Sequence, residues 1–156
     1  TSSDGYVMAV FWCQDASGAP YETSGLTRLK GLINKTLQGD LIAREALAPK
    51  DKLKKRERPF SVPTTISFDN EGSEIYTIIE VDTRDRPGLL HDLTRTLAAA
   101  NVNIANATIA TYGEQVVDSF YVKDLFGLKL DSEARQRSLE TALRDAITRG
   151  RERADA

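Results

Sequence analysis

A chain of 156 residues is about one to one and a half average domains long, enough for a tandem of small units and too little for a large enzyme. Hydrophobic residues make up 40% and charged residues 28%, which supports a packed core and excludes a disordered or collagen-like polymer. With 21 Lys and Arg against 23 Asp and Glu the net charge is -2, so nothing global requires a polyanionic partner.

Cys13 and His91 each occur once. Their isolation excludes an intramolecular disulfide, a cysteine zinc cage, a paired-histidine zinc motif and a multi-histidine phosphohydrolase centre. Thr1 to Gly5 is polar and lacks the basic flank of a signal peptide, so the start reads as cut rather than processed. No apolar run reaches the ~18–20 residues of a membrane span. These features predict a cytoplasmic protein, in which the sequons at Asn34 and Asn106 have no chemical consequence.

In chain order, Val7 to Gly18 is rich in aromatic and β-branched residues, reaches Asp15 and turns at Gly18, as a strand running into a loop does. Cys13 is expected to be buried on that strand. Leu29, Leu32, Ile33, Thr36 and Leu37 then recur at helical spacing. Between Ala48 and Pro59 lie Lys50, Lys52, Lys54, Lys55, Arg56 and Arg58, opposed only by Asp51 and Glu57. The run reads as a solvated linker; a phosphate or partner contact is the competing reading. Thr64 to Phe68 is a candidate strand, and Asp69 to Ser73 a turn that lets it pair antiparallel with Tyr76 to Val81. Pro87 to Ala100 reads as a helix with Leu89, Leu90, Leu93 and Leu97 on one face. Strands follow over Asn103 to Thr111 and Val116 to Lys123, then a helix through Leu139, Ala142, Leu143, Ala146 and Ile147. No closing strand is available after Ile147.

The segment Val7 to Gly18 aligns with Val116 to Gly127 at an offset of 109 residues, and each copy is followed by a helix. The first copy lacks the strand, Pro-Gly turn and helix that precede the second. The expected architecture is therefore α+β: an antiparallel, ferredoxin-like sheet with two helices on one face, in the permuted order ββαββα. It would occupy residues 63–150, preceded by the rear half (ββα) of another repeat in 1–46 and a basic linker in 47–62, and followed by a tail in 151–156.

The chemistry concentrates in Asp82 to Leu90. Pro87 suits a first helical position, and Gly88 lets another group approach the backbone. The amides of Gly88, Leu89 and Leu90 would then face an anion at the positive end of the helix dipole, with Asp85 beside them for an ammonium group. An anion site next to a carboxylate suits an α-amino acid zwitterion better than a phosphate. A plain helix cap explains the same spacing. His91 and Asp92 suggest a metal pair, but one histidine builds no such centre, and a solvated or capping role is the simpler reading. Phe11, Trp12, Phe120 and Tyr121 raise the possibility of RNA stacking, which Asp118 and the net charge oppose.

Asp85-Arg86-Pro87-Gly88-Leu89-Leu90, followed by Leu97-Ala98-Ala99-Ala100-Asn101-Val102-Asn103-Ile104, resembles the signature of ACT domains, small modules that bind amino acids. Tyr76 to Val81, the strand through Lys123 and Phe126-Gly127-Leu128-Lys129 resemble more closely the C-terminal tandem ACT region of the enzymes that uridylylate and deuridylylate the PII nitrogen-signalling protein. This resemblance implies a glutamine-sensing regulatory module that switches its parent enzyme between the two activities. The alternative is a non-catalytic dimerisation or interaction module without an amino-acid ligand. The resemblance implies ligand contacts at Thr83, Asp85, Arg86, Gly88, Leu89, Leu90, Asn103 and Ile104. It also implies a second ACT unit completing the pocket, through self-association or exchange of a strand or helix, with PII a partner of the parent enzyme. No cofactor is expected in this chain; Mg2+ and UTP would serve the parent elsewhere. The first repeat has no Pro-Gly turn, so its own site is incomplete within residues 1–46.

Overall fold

Two aspartate turns at the repeat offset have the same hydrogen bonds. A computed structural model of the chain describes residues 5–15, 17–50 and 62–155. In the first turn Asp15 N–H donates to the Ala19 carbonyl at 2.8 Å and Gly18 N–H to the Asp15 carbonyl at 3.0 Å. Asp15 Oδ1 accepts from the amides of Ser17 and Ala19 at 2.8 and 2.9 Å. In the second, Asp124 N–H donates to Leu128 at 2.8 Å and Gly127 N–H to Asp124 at 3.1 Å, and Asp124 Oδ1 accepts from Phe126 and Leu128 at 2.8 and 2.9 Å. Gly18 and Gly127 both adopt left-handed backbone, at φ 83° and 78°, a region glycine enters without steric cost.

The chain divides into two units, Thr1–Ala43 and Arg44–Ala156. In the first, the expected helix forms as α1 (Thr23–Leu37). The expected strand does not: among the described residues an isolated bridge joins Gln14 to Pro20, and residues 7–13 belong to no ladder. Tyr6, Val7, Met8, Val10, Phe11 and Trp12 are exposed, Trp12 to 90%, and Cys13 is exposed as well. A strand is defined by its ladder, and the described residues provide no neighbour here. Burial of Cys13 and a stacking platform at Phe11 and Trp12 both lapse with it. A five-residue helix, α2 (Ala43–Leu47), follows. Most of the basic linker, residues 51–61, lies outside the described residues.

The second unit follows the predicted order: β1 (Thr65–Asp69), β2 (Thr77–Arg84), α3 (Leu89–Ala99), β3 (Val102–Tyr112), β4 (Gln115–Asp124) and α4 (Glu133–Asp155). The sheet runs β1-β2-β4-β3 with every neighbouring pair antiparallel, so β2-α3-β3 is a crossover that leaves one position for β4. Alternation along β2 and β4 sends Ile79, Val81, Val116, Phe120 and Val122 to one face. There they meet Leu89, Leu93 and Leu97 of α3 and Leu139, Leu143 and Ile147 of α4. Leu90, expected on the buried face of α3, is 43% exposed, because it lies one residue around the helix from Leu89. Edge strand β3 is mostly exposed on both faces beyond Val102. A register shift between Ile104 and Asn106 inserts one unpaired residue, Ala105.

Helix α4 continues through residues expected to form a tail, and Ala154 is buried. Thr77 fastens the front of this helix, donating to Asn70 Oδ1 at 2.6 Å and accepting from Leu130 N–H at 2.8 Å. Among the described residues, no helix is long and apolar enough to cross a membrane. Phe120, fully buried at the centre of the sheet, sets the core's tolerance to truncation. Phe120→Ala should cost about 3–5 kcal/mol in urea unfolding.

Candidate functional site

Asp85 continues the β2 edge by donating its N–H to the Glu114 carbonyl at 2.8 Å. Arg86 to Leu89 then make a type II turn: Pro87 takes the second position, Gly88 the third at φ 80° and ψ -2°, and Leu89 N–H returns to the Arg86 carbonyl at 3.2 Å. Gly88 is thus the N-cap of α3, and Pro87 precedes the helix rather than opening it. The glycine is needed for its left-handed backbone, which any L side chain adopts only under strain. The turn consumes the Leu89 amide that the spacing offered to a ligand. The first helical bond is Asp92 N–H to the Gly88 carbonyl at 3.0 Å. Among the described residues, the amides of Gly88, Leu90 and His91 have no acceptor, and they retain the positive end of the helix dipole.

The side chains of the expected site divide sharply. Asp85 is exposed at the turn. Thr83 is fully buried on the core face and shares a 2.7 Å hydrogen bond with Thr64 Oγ1. Leu89 packs in the core. Arg86 turns inward: its Nη2 lies 2.5 Å from Asp92 Oδ2 and its Nη1 donates to the Pro87 carbonyl at 3.1 Å. It therefore braces the turn instead of facing a ligand. Asn103 and Ile104 are at the other end of the sheet. Asn103 pairs with Lys123 of β4 and Arg84 with Gln115, eight residues apart along one strand, which is about 26 Å. Within one unit the crossover does not return them to the turn, because β3 runs parallel to β2 and starts at the end where β2 starts.

Asp92 corrects the expectation of a solvated or capping residue. It is buried and accepts from Arg86 and from Arg153 Nη2 at 2.8 Å. Burial works to raise its pKa, and the two guanidiniums more than offset this, holding the carboxyl below its usual range. Gly150 admits this arrangement, since a Cβ there would overlap the Arg86 guanidinium and crowd Asp92 Oδ2. His91 Nδ1 lies 3.7 Å from Asp92 Oδ1. Among the described residues no group of three or more His, Cys, Asp and Glu side chains is placed to hold a metal ion.

Asp118 is a buried carboxyl that sequence reasoning missed. It occupies a core-facing position of β4 between Val116 and Phe120 and is 1% exposed. Its Oδ1 has no hydrogen-bond partner among the described residues. Burial, with a smaller contribution from the Asp85 charge, raises its pKa to about 7. The available signal was a carboxylate interrupting an apolar alternation, at Val116, Asp118, Phe120 and Val122.

Residues 77–140 match the ACT domain family, as the strand order and the Pro-Gly turn lead one to expect. This part of the chain is an ACT domain. Over its whole length the chain is similar to proteins named bifunctional uridylyltransferase/uridylyl-removing enzyme. It is 70% identical over 156 residues to that of Ruegeria pomeroyi, 68% over 154 residues to that of Cereibacter sphaeroides and 41% over 150 residues to that of Rhodospirillum rubrum. The matches cover 100%, 99% and 95% of this chain and 17%, 17% and 16% of the relatives. The chain thus spans about one sixth of the length of the relatives it matches. No solved structure matches it significantly.

Two measurements test the site's electrostatics. Gly150→Ala should displace Arg86 from Asp92 and cost about 3 kcal/mol in urea unfolding, the scale of breaking a buried ion pair. Asp118 in the unfolded chain releases its proton near 3.8 but in the folded chain near 7. The folded state therefore binds the extra proton between those values, and this residue's contribution to stability falls as pH rises through them. The melting temperature gained by Asp118→Asn should grow from about pH 4 to about pH 7 and then level off.

Proposed function

We propose that this chain is a regulatory module that senses glutamine for an enzyme that uridylylates and deuridylylates the PII protein, shifting the balance between the two activities. The observation that carries the reading is the type II turn at Arg86–Leu89. It sets the unclaimed amides of Gly88, Leu90 and His91 at the start of α3 beside the exposed Asp85 carboxylate. Backbone donors suit an α-carboxylate and the acidic group suits an α-ammonium. The names of the relatives, and the one sixth of their length that the chain matches, support a module appended to a catalytic body.

The open β3 edge favours completion of the pocket by a second ACT unit. If two β3 edges pair antiparallel about a point near Ala107, Asn103 of one unit lies opposite Thr111 of the other, next to its turn. That brings together the residues that a single unit keeps apart. The same edge supports a second reading, a dimerisation module without a ligand.

Titration calorimetry and sedimentation separate the two. Glutamine sensing predicts saturable heat with L-glutamine that Gly88→Val reduces about tenfold or more, the cost of straining a left-handed turn, and association that changes with glutamine. Association indifferent to every amino acid, with no heat, establishes the second reading instead.

A further inference from the structure

Burying a carboxyl without a partner is costly, and native structures seldom do it without a use. Asp118 is such a group, with its Oδ1 sealed from solvent. Its cross-strand neighbours, Val81 on β2 and Ile109 on β3, are apolar. The charged group that acts on it is Asp85, from the turn, and it is of the same sign. The cations where α3 meets α4, Arg86 and Arg153, are engaged with Asp92. Towards the β3 edge the cover is thin: Ala107 and Ile109 flank it, both exposed, Ile109 to 44%. Asp118 and Asp85 thus act on each other as like charges, with Asp85 three residues before the N-cap of α3, and Arg84, the cation next to Asp85 in sequence, is engaged with Glu114 at 3.4 Å.

We propose that Asp118, together with Asp85, receives the α-ammonium group of the bound amino acid while the amides of Gly88, Leu90 and His91 take its α-carboxylate. This rests on the amino-acid-binding reading above and deepens it. The pocket then selects intact α-amino acids and rejects their deaminated counterparts, because removing the ammonium leaves a buried carboxyl unpaired. Ionising Asp118 against the incoming cation releases its proton to solvent.

The test is titration of the protein with L-glutamine and with glutaric acid monoamide, which lacks only the α-amine. Runs at pH about 6 in two buffers of different ionisation enthalpy count protons, since Asp118 titrates near 7. The wild type should prefer glutamine about tenfold or more and release up to about one proton per ligand bound. Asp118→Asn, similar in shape, should lose both the preference and the proton release. A wild type that binds both compounds equally, or a D118N variant that keeps the preference and the release, overturns the assignment and leaves glutamine sensing in place. A wild type that binds neither overturns both.

Discussion

The contact between Arg86 and Asp92 organises the second unit. Arg86 ends the extended stretch after β2, Asp92 lies in the first turns of α3, and Arg153 of α4 reaches the same carboxylate oxygen. The turn, the start of α3 and the distant end of α4 thus share one buried charge cluster. Such a pair contributes more to geometry than to net stability, since desolvation offsets much of its attraction, while loss of one partner is expensive. Here the geometry it holds is that of the turn, because the same guanidinium also donates to the Pro87 carbonyl. The length of α4 follows from this: only a helix that continues past Gly150 delivers Arg153 to Asp92.

A turn held from behind presents its front as main chain. Of the side chains that ACT resemblance places at the ligand, Thr83, Arg86 and Leu89 are committed to the interior. What faces outward is a set of amides, the Asp85 carboxylate and the half-exposed Leu90 side chain, and a site built mainly of main chain depends more on backbone shape than on side-chain identity. Gly88 is the residue where the two requirements meet, since its left-handed φ sets the direction of the amides that follow. In the proposed reading, discrimination among ligands then falls to the acidic floor and to whatever covers the β3 edge.

Element order and strand positions in the second unit were legible because alternation and helical spacing are local: β1, β2, β3 and β4 all lie within three residues at either end of the predicted segments. Pairing was legible only where a tight turn imposed it, as at Asp69 to Ser73 between β1 and β2. Everything that required a third element was hidden. Nothing local tells that Gly150 clears space for Arg86, that Asp92 meets two arginines, or that Asp118 lies beneath a helix. The distance of Asn103 from the turn within one unit was hidden for the same reason, since the direction of β3 relative to β2 follows from the crossover and not from either strand. In the first unit the repeat alignment located an aspartate turn whose bonds match those of its counterpart, yet the strand before it has no ladder, because pairing depends on a neighbour the alignment does not supply.

The single bulged residue in β3 has an effect on which changes the strand tolerates. Ile104 and Ala107 are three apart in sequence but oppose Val122 and Phe120, two residues of the same face. The extra residue, Ala105, therefore inverts the parity of everything after it. Deleting Ala105 would close the bulge into a regular ladder and leave Ala107, Ile109 and Thr111 on the helix-covered side, still opposite Phe120, Asp118 and Val116. The strand that borders Asp118 can thus absorb a change of one residue at the bulge while keeping the same row of side chains along that border, whereas a one-residue change beyond it, between Asn106 and Thr111, would move part of that row to the other face.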